Sequence, residues 1–346
     1  MVAMDEPLVS IFIRVRDEAI ALRNVLENLQ RQVLDGPVEI VVLDNESVDG
    51  SAQVALEAGA RVFTFPRELF GYGRALNLGV HLCRGKIMVM LSAHSVPQGQ
   101  DWLSELVRPI RDNPSIGAAF CRQIPPSRVS RLELRRFACF PTSDAVVDRK
   151  QFIDKCHDGS DPYELALFSN SACAIRRDVA ANHPFRDLLY AEDRAFVVDY
   201  VMAGGAVAYV NDAVVSYRRN MTWKSAYRVG YRAQVSKRLV RELAATYTGS
   251  RFRSAKDTLD RLARAVLVLA GLLVRVVMSA REPRDLRRQS VVHALRSTGA
   301  TLGLAKGTIQ WRRHIGTLSC DTRQLDEALR HCVALHSEEA GSGSPC

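Results

Sequence analysis

The sequence predicts an α/β protein with a doubly wound, mostly parallel sheet and a helical C-terminal extension. Apolar runs of five or six residues recur through the first hundred residues of the 346-residue chain. They alternate with segments of helical periodicity, as in βαβ units. Near-continuous apolar strands are typical of parallel sheets covered on both faces. The last third of the chain is basic and helical in pattern, so we expect it to form a separate layer.

The first hundred residues contain four predicted strands and three predicted helices. The strands lie at residues 9–13, 38–43, 61–65 and 87–91, and the helices at 20–32, 51–58 and 73–83. In open α/β sheets, ligands bind beyond the carboxyl ends of the strands. The strand ends that carry polar residues are 14–18, 44–49 and 92–97. We therefore expect the functional site at this edge.

The middle of the chain is less regular. A helix at 101–111 and a strand at 116–122 precede a proline-containing basic insert at 125–161; a strand at 171–175, a helix at 192–203 and a strand at 206–215 follow. From residue 222 onward the pattern is helical. We expect an α/β domain over residues 1–230, a basic helical extension over 231–335 and a disordered tail over 336–346.

Charge separates the two parts of the chain. Residues 1–230 hold 27 Lys and Arg against 28 Asp and Glu, whereas residues 231–346 hold 20 against 10. The 47% apolar and 25% charged composition excludes a disordered, collagen-like or coiled-coil chain and a polytopic membrane protein. A basic extension favours an anionic partner. Because no nucleic-acid-binding motif is present, we expect an anionic membrane surface and no nucleic acid.

Eight cysteines are present and none forms a CxxC pair, which gives no sign of a zinc ribbon or a thioredoxin motif. The short acidic segment 1–7 lacks the basic and apolar regions of a secretory signal. Both observations favour a reducing compartment. We expect a cytoplasmic protein that associates peripherally with the inner face of the cytoplasmic membrane.

Two segments of the extension bear on membrane association. Residues 222–247 are basic, and Trp223, Tyr227 and Tyr231 recur with helical spacing on one face. This pattern is typical either of a helix packed on the domain or of an amphipathic helix at a membrane surface. Residues 262–278 are the most apolar stretch, but an uninterrupted run of ten residues is shorter than the about 20 that a span needs.

One polar motif follows the second predicted strand, and another opens the third predicted helix. The segment DNESVDG (44–50) places Asp44 at a strand end, where a carboxylate can accept hydrogen bonds from a base or a ribose. The alternative is an Asx-turn that caps the next helix. Arg74 stands near a helix start, which favours a phosphate group.

Two further motifs offer titratable groups. Ser92 and His94 follow the fourth strand, where they can hold a metal ion or a diphosphate, although a single histidine is often structural. Glu192 and Asp193 open a predicted helix. Acids at that position serve either as partners of the helix dipole or as a general base that points into the cleft.

Taken together, the motifs resemble family 2 glycosyltransferases of the GT-A fold, in particular the rhamnosyltransferase-like and cell-wall polysaccharide branches. The similarity covers residues 8–230. It is carried by VSIFIRVRDE (9–18), LDNESVDG (43–50), RALNLG (74–79), FSNSACAIRR (168–177) and AEDRA (191–195). The helical last third lies outside the shared domain.

The resemblance implies inverting transfer of a hexosyl or deoxyhexosyl group from a nucleotide-diphosphate donor to a hydroxyl of a lipid-linked or polysaccharide acceptor. It assigns Asp193 as the general base and Glu192 as its support. The implied donor-binding residues are Arg14, Arg16, Asp17, Asp44, Asn45, Arg74 and Ser92. The implied acceptor side comprises Asn170, Ser171, Arg218 and Trp223.

One departure concerns the metal. The family usually carries D-x-D where this chain has Ser92-Ala93-His94. Mg²⁺ and Mn²⁺ prefer oxygen ligands, so either His94 binds the metal with help from the diphosphate, or protein cations replace the metal. The cations available for that second role are Arg74, Arg218 and Arg219. The same departure leaves an alternative function, a glycosyltransferase-like binding protein that has lost catalysis.

Overall fold

The computed structural model describes residues 6–217, apart from 128, 130–133, 135 and 136, together with 223–249, 326–327 and 329–335. For residues 223–226 it describes the backbone only. Within this part of the chain, ten strands form one mixed sheet. The predicted apolar segment at 262–278 and the predicted tail at 336–346 lie outside the described residues.

The N-terminal half of the sheet is parallel. Strands β1 (Val9–Val15), β2 (Val38–Asp44), β3 (Arg61–Thr64) and β4 (Ile87–Ser92) lie in the order β3-β2-β1-β4. Their parallel pairing brings the polar carboxyl ends to one edge. The apolar runs that predicted these strands are buried because helices cover both faces of the sheet.

Two hydrophobic layers flank this half. Helices α1 (Ala19–Leu29) and α2 (Ser51–Glu57) cover one face, where they pack on alternate β1 residues such as Ile11 and Ile13. Helix α3 (Tyr72–Leu82) covers the other face and packs against Phe12. The period of two along β1 therefore divides its side chains between the two layers.

The other half of the sheet contains antiparallel pairs. Strand β8 (Ala172–Arg176) lies antiparallel between β4 and β6 (Ile116–Ile124), and β9 (Ala206–Tyr217) runs parallel to β6. The short strands β5 (Ser95–Pro97) and β7 (Ala145–Val147) pair antiparallel with β9. The helices here are α4 (Trp102–Asp112), α5 (Arg149–His157), α6 (Pro162–Leu165), α7 (Arg177–Asn182) and α8 (Glu192–Met202).

Helix α9 (Trp223–Thr248) packs on this half of the domain. Its buried residues Val235, Leu239 and Leu243 join the same hydrophobic layer as α3 and α8. Tyr231 packs against that layer, whereas Tyr227 is 37% exposed. The predicted boundary at residue 230 thus falls inside a helix whose apolar face belongs to the domain, as the packing interpretation of this segment expected.

The predicted helical extension also contains a strand. Residues Val333–Leu335 form β10, which pairs antiparallel with the outer strand β3. A three-residue strand has too little periodicity to be recognised in a sequence, but it satisfies backbone groups at an open sheet edge. Among the described residues, no helix combines the length and apolar character needed to cross a bilayer.

Candidate functional site

A cleft of about 540 Å³ opens at the carboxyl ends of β1, β2 and β4, as the strand-end argument predicts. It extends toward the start of α8 and the insert. Of the residues predicted for the site, the cleft is lined by Arg14, Arg16, Asn45, Ser92, His94, Asn170, Ser171, Glu192 and Asp193. Asp17, Asp44 and Arg74 lie outside this lining, Arg218 lies outside the described residues, and Trp223 begins α9.

The loops after β1 and β2 lock together through their polar side chains. Asp17 accepts a hydrogen bond from the Val48 amide at 2.8 Å, and its own amide donates to Ser47 at 3.0 Å. Asp49 accepts from the Ala19 amide at the start of α1. Asp17 and Glu46 adopt positive φ, an uncommon conformation outside glycine that marks tightly constrained turns. These acids therefore fix the loops at the β1 and β2 edge of the cleft.

Asp44 and Asn45 differ in their access to the cleft. Asp44 is 2% exposed and accepts a hydrogen bond through Oδ2 from the Ser47 amide. Asn45 lines the cleft and donates through Nδ2 to the Phe65 carbonyl at 2.8 Å. Asn45 is 4% exposed, so both side chains are almost fully buried, and of the two it is Asn45 that lines the cleft.

Two of the arginines predicted to bind the donor are placed differently. Arg14 lines the cleft, donates to the Tyr72 carbonyl and lies 5.8 Å from the centre of the Tyr72 ring. Arg74 forms a 2.8 Å salt bridge with Asp187 and holds the loop before α8 against α3. That loop approaches so closely that a Cβ on Gly71 would lie 2.2 Å from an Asp187 oxygen. A side chain at position 71 would therefore require Asp187 to move.

Helix α8 begins at the cleft with two acids. Ala191 precedes them with a φ of 63°, a left-handed conformation that turns the helix start toward the cleft. Glu192 is 4% exposed and accepts a 2.6 Å hydrogen bond from Asn170 Nδ2. Asp193 accepts from the Asn170 amide at 3.4 Å and from the Arg194 amide at 2.8 Å. The two carboxyl groups thus share one polar neighbour.

Burial changes the acidity of this pair. Loss of solvation, reinforced by the charge of Asp193, raises the pKa of Glu192 to about 7. Burial also raises the pKa of Asp193, while Arg194 opposes that shift. Because the two groups interact, their protons are lost in two steps whose pKa values belong to the pair. A carboxylate with a raised pKa is suited to accept a proton near neutral pH.

His94 is held between two polar side chains. Its Nε2 lies 2.9 Å from Ser92 Oγ, its Nδ1 lies 3.1 Å from Glu18 Oε2, and its ring meets Tyr217 edge-on at 5.0 Å. Among the described residues, no group of three or more His, Cys, Asp or Glu side chains could hold a metal ion. This donor set does not fit a resident Mg²⁺ or Mn²⁺ ion. The assignment of His94 as a metal ligand remains a prediction.

The sequence reasoning missed several residues that line the cleft. Gln123 is 5% exposed and donates to Ser169 Oγ at 2.7 Å. Tyr163 lies in α6, directly after the insert, and the Arg194 guanidinium lies 4.1 Å from the centre of its ring. Arg194 stands within the motif that carries Asp193, which could have indicated it. No local signal marks Gln123 or Tyr163, because distant segments bring them to the cleft.

Helix α9 is tied to the same region by charge. Lys237 Nζ lies 2.6 Å from a Glu164 carboxylate oxygen and 4.7 Å from the centre of the Tyr163 ring. The Arg194 guanidinium contacts the same ring. Arg241 forms a salt bridge with Asp161 through its Nε atom at 2.8 Å. Lys237 and Arg241, which belong to the basic segment predicted to face anionic lipid, therefore pair with Glu164 of α6 and with Asp161 at the end of the insert.

Comparison with known proteins identifies the family and agrees with the fold. The glycosyl transferase family 2 profile matches residues 10–183, half of the chain, and the protein belongs to this family. The O-antigen chain rhamnosyltransferase RfbN of Salmonella typhimurium is 27% identical over 204 residues, which cover 58% of this chain. The match spans 62% of that relative's length.

Two solved structures share the fold. The mannosyltransferase PcManGT from Pyrobaculum calidifontis, in complex with GDP-Man and Mn²⁺, has a TM-score of 0.55 and 16% identity over 87% of this chain and 88% of its own. The glucosyl-3-phosphoglycerate synthase of Mycobacterium tuberculosis, bound to Mn²⁺, UDP and product, has a TM-score of 0.50 and 19% identity over 71% and 82%. The predicted α/β fold of GT-A type is confirmed.

Proposed function

We propose that the protein is an inverting glycosyltransferase that moves a sugar from a nucleotide-diphosphate donor to an acceptor hydroxyl. The observation that carries this proposal is the position of Asp193 and Glu192. Both acids line the same cleft as Arg14 and Asn45, which stand at the ends of β1 and β2. Inversion by direct displacement needs one base and a stabilised leaving group, and the two sides of the cleft provide these separately.

In this mechanism Asp193 removes the proton of the acceptor hydroxyl. The positive φ of Ala191 and the hydrogen bonds from Asn170 and Arg194 fix its carboxylate in the cleft. Glu192 accepts from Asn170, and burial together with the charge of Asp193 raises the pKa of Glu192. No covalent nucleophile is required, because the acceptor oxygen attacks the sugar directly.

The similarity to RfbN supports a more specific proposal for the classes of donor and acceptor. RfbN is an O-antigen chain rhamnosyltransferase, which supports a deoxyhexosyl or hexosyl donor and a lipid-linked or polysaccharide acceptor in polysaccharide biosynthesis for the cell envelope. We place the acceptor beside Asn170 and Ser171, on the α8 side of the cleft. A peripheral position on the inner face of the cytoplasmic membrane would bring the cleft to a lipid-linked acceptor.

The base assignment is tested with purified protein and a panel of UDP-, dTDP- and GDP-sugars. Replacing Asp193→Asn is expected to reduce kcat by about 10²- to 10⁴-fold, the usual contribution of a general base. The matched control is Asp178→Asn on α7, whose side chain is 64% exposed. Turnover that survives Asp193→Asn unchanged would remove Asp193 from the mechanism.

The replacement of D-x-D by Ser92-Ala93-His94 favours a second candidate, a binding protein that holds a nucleotide without transfer. It predicts nucleotide binding with no transfer or hydrolysis across the donor panel. Membrane association is tested separately by flotation with vesicles rich in anionic lipid at low salt. Protein that remains with the soluble fraction would exclude the peripheral location while leaving the enzyme assignment intact.

A further inference from the structure

We propose that the guanidinium of Arg14 neutralises the donor diphosphate in place of a divalent metal ion. This inference rests on the proposed glycosyl transfer and deepens it, because it assigns the charge that stabilises the leaving group. Four features of the structure carry it: the register between β1 and β4, the contacts of Arg14, the placement of the other cleft cations and the contacts of His94.

The register sets Arg14 directly beside Ser92. Strands β1 and β4 are parallel, and Arg14 is the residue opposite Ser92. Neighbouring strands lie about 4.8 Å apart, and paired positions present their side chains to the same face. An aspartate at position 92, where the family usually begins its D-x-D motif, would form an ion pair with Arg14. Serine leaves that positive charge available to the ligand.

The contacts of Arg14 leave donors for a phosphate. Among the described residues, its guanidinium donates to the Tyr72 carbonyl and forms no salt bridge. Arginine carries five N–H donors in a planar fork that matches two phosphate oxygens. Burial lowers the pKa of Arg14, and the charge of Glu192 opposes that effect, so the cation is retained in a partly desolvated site. Such a site strengthens its attraction to a diphosphate.

The other cations near the cleft have different placements. Arg74 is bound to Asp187 and lies outside the cleft lining. Arg16 is about half exposed and lies 3.9 Å from Asp17, where solvent screens it. Arg194 lies over the Tyr163 ring and donates to the Tyr163 carbonyl. Of the described cations, Arg14 therefore combines cleft access with a position beside the strand end that normally serves the metal.

The position of His94 agrees with this assignment. Both of its ring nitrogens are hydrogen-bonded, one to Ser92 and one to Glu18, so metal binding would require a change in these contacts. Ser92 offers a hydroxyl instead of a carboxylate, and the Glu18 carboxylate comes from outside positions 92–94. His94 thus acts as part of the cleft wall that supports the end of β4.

The transfer step balances without a metal. A bond forms between the acceptor oxygen and the anomeric carbon while the bond from that carbon to the diphosphate oxygen breaks. The bonding pair leaves with the nucleoside diphosphate, and the hydroxyl proton passes to Asp193. Arg14 donates hydrogen bonds to the diphosphate oxygens, where negative charge develops.

The test measures binding of UDP, dTDP and GDP by calorimetry, first in excess EDTA and then in Mn²⁺ or Mg²⁺. We expect at least one nucleotide to bind in EDTA and metal to change its Kd less than about threefold. Arg14→Gln should weaken this binding about 10- to 100-fold, the value of charge-assisted hydrogen bonds. Arg14→Lys should recover part of it, and Arg23→Gln on the exposed face of α1 should leave it unchanged.

A second variant tests whether a metal ion can take back the role proposed for Arg14. Ser92→Asp with His94→Asp restores D-x-D and gives Arg14 a carboxylate partner. We expect this double variant to lose binding in EDTA and to gain it with Mn²⁺, which electron paramagnetic resonance would detect as bound ion. Thermal melts of every variant separate loss of binding from loss of folding.

The possible outcomes distinguish the two proposals. Wild-type binding that requires Mn²⁺ and is abolished by His94→Ala would overturn the role of Arg14 and leave the glycosyltransferase assignment in place. Folded Arg14→Gln protein with unchanged Kd in EDTA would also overturn it. If the wild type binds none of the three nucleotides under either condition, the proposed donor class itself is wrong.

Discussion

The two halves of the sheet contribute to the cleft in different ways. The half formed by β1–β4 is parallel, and its cleft residues stand at the ends of successive strands. The half formed by β6, β8 and β9 contains antiparallel pairs, and its cleft residues come from loops and from the start of α8. The first half offers positive charge at Arg14, and the second offers the acids Glu192 and Asp193.

The difference separates the two sides of the proposed site, a donor side on the parallel half of the sheet and a catalytic side on the other half. Residues of the donor side are positioned by the register of β1, β2 and β4, which shifts only if the strands pair differently. Catalytic-side residues are positioned by contacts between distant segments, such as Asn170 with Glu192 and Tyr163 with Lys237. We therefore expect small substitutions on the catalytic side to alter activity more readily than comparable ones on the donor scaffold.

The largest effect is expected at the start of α8. Ala191→Val places a β-branched residue at a φ of 63°, a conformation that such residues rarely adopt. The helix start should shift and displace Asp193, with a loss of activity of about 10²-fold and of stability of ~1–3 kcal/mol. Kinetics and chemical denaturation measure the two effects. Ala191→Gly is the control, and similar losses in both variants would contradict the role of backbone conformation.

The next effect concerns the dependence of activity on pH. Because Asp193 must accept a proton and titrates together with Glu192, whose pKa burial raises to about 7, kcat/KM should fall as the pH decreases and the pair takes up protons. Asn170→Ala removes a hydrogen bond that favours the charged form of Glu192. The profile should therefore move to higher pH, and activity at pH 7 should fall about tenfold.

The control for this profile is Asn182→Ala on the exposed end of α7. An unchanged profile for Asn170→Ala, with the protein folded, would show that the hydrogen bond does not set the proton affinity of the pair. A movement to lower pH would contradict the proposed electrostatic cause.

A smaller effect is expected on stability. The pKa of Glu192 is raised in the folded protein, so its unfavourable charge costs stability as pH rises above the ordinary glutamate range. At pH 8 the free energy of unfolding of Glu192→Gln should exceed that of the wild type by ~1–3 kcal/mol. Near pH 4 the two values should be equal. Denaturation curves at both pH values provide the measurement. Equal differences at the two pH values would indicate a packing effect instead.

The smallest effect is expected where α9 docks. Burial acts to raise the pKa of Asp161, but the Arg241 guanidinium outweighs it and lowers the value to about 2. The pair therefore contributes stability at neutral pH that is lost as pH falls toward 2. Arg241→Ala should destabilise the protein by ~1 kcal/mol at pH 7.

Arg238→Ala is the matched control, because Arg238 pairs with Glu242 on the same helix. Thermal melts at pH 7 compare the two variants. If both lower the Tm equally, the Asp161 contact is not what attaches α9 to the domain.

The parallel half of the fold is predictable because its signals are local. Each apolar run forms one strand, and β1, β2 and β4 begin at the residues that the runs indicate. The strands β5, β7 and β10 were missed, since three residues carry no usable periodicity. Their formation depends on an available partner strand, which the local sequence does not report.

The sequence by itself determined the class of the protein and the two acids at the start of α8, because motif order and strand-end chemistry are written in short segments. Tertiary structure decided that Arg14 lies beside Ser92, that Arg74 binds Asp187, and that Tyr163 reaches the cleft. The physical reason is that register and long-range packing depend on the joint fit of many side chains. Local propensity constrains each segment, but it does not specify which distant segment that segment will contact.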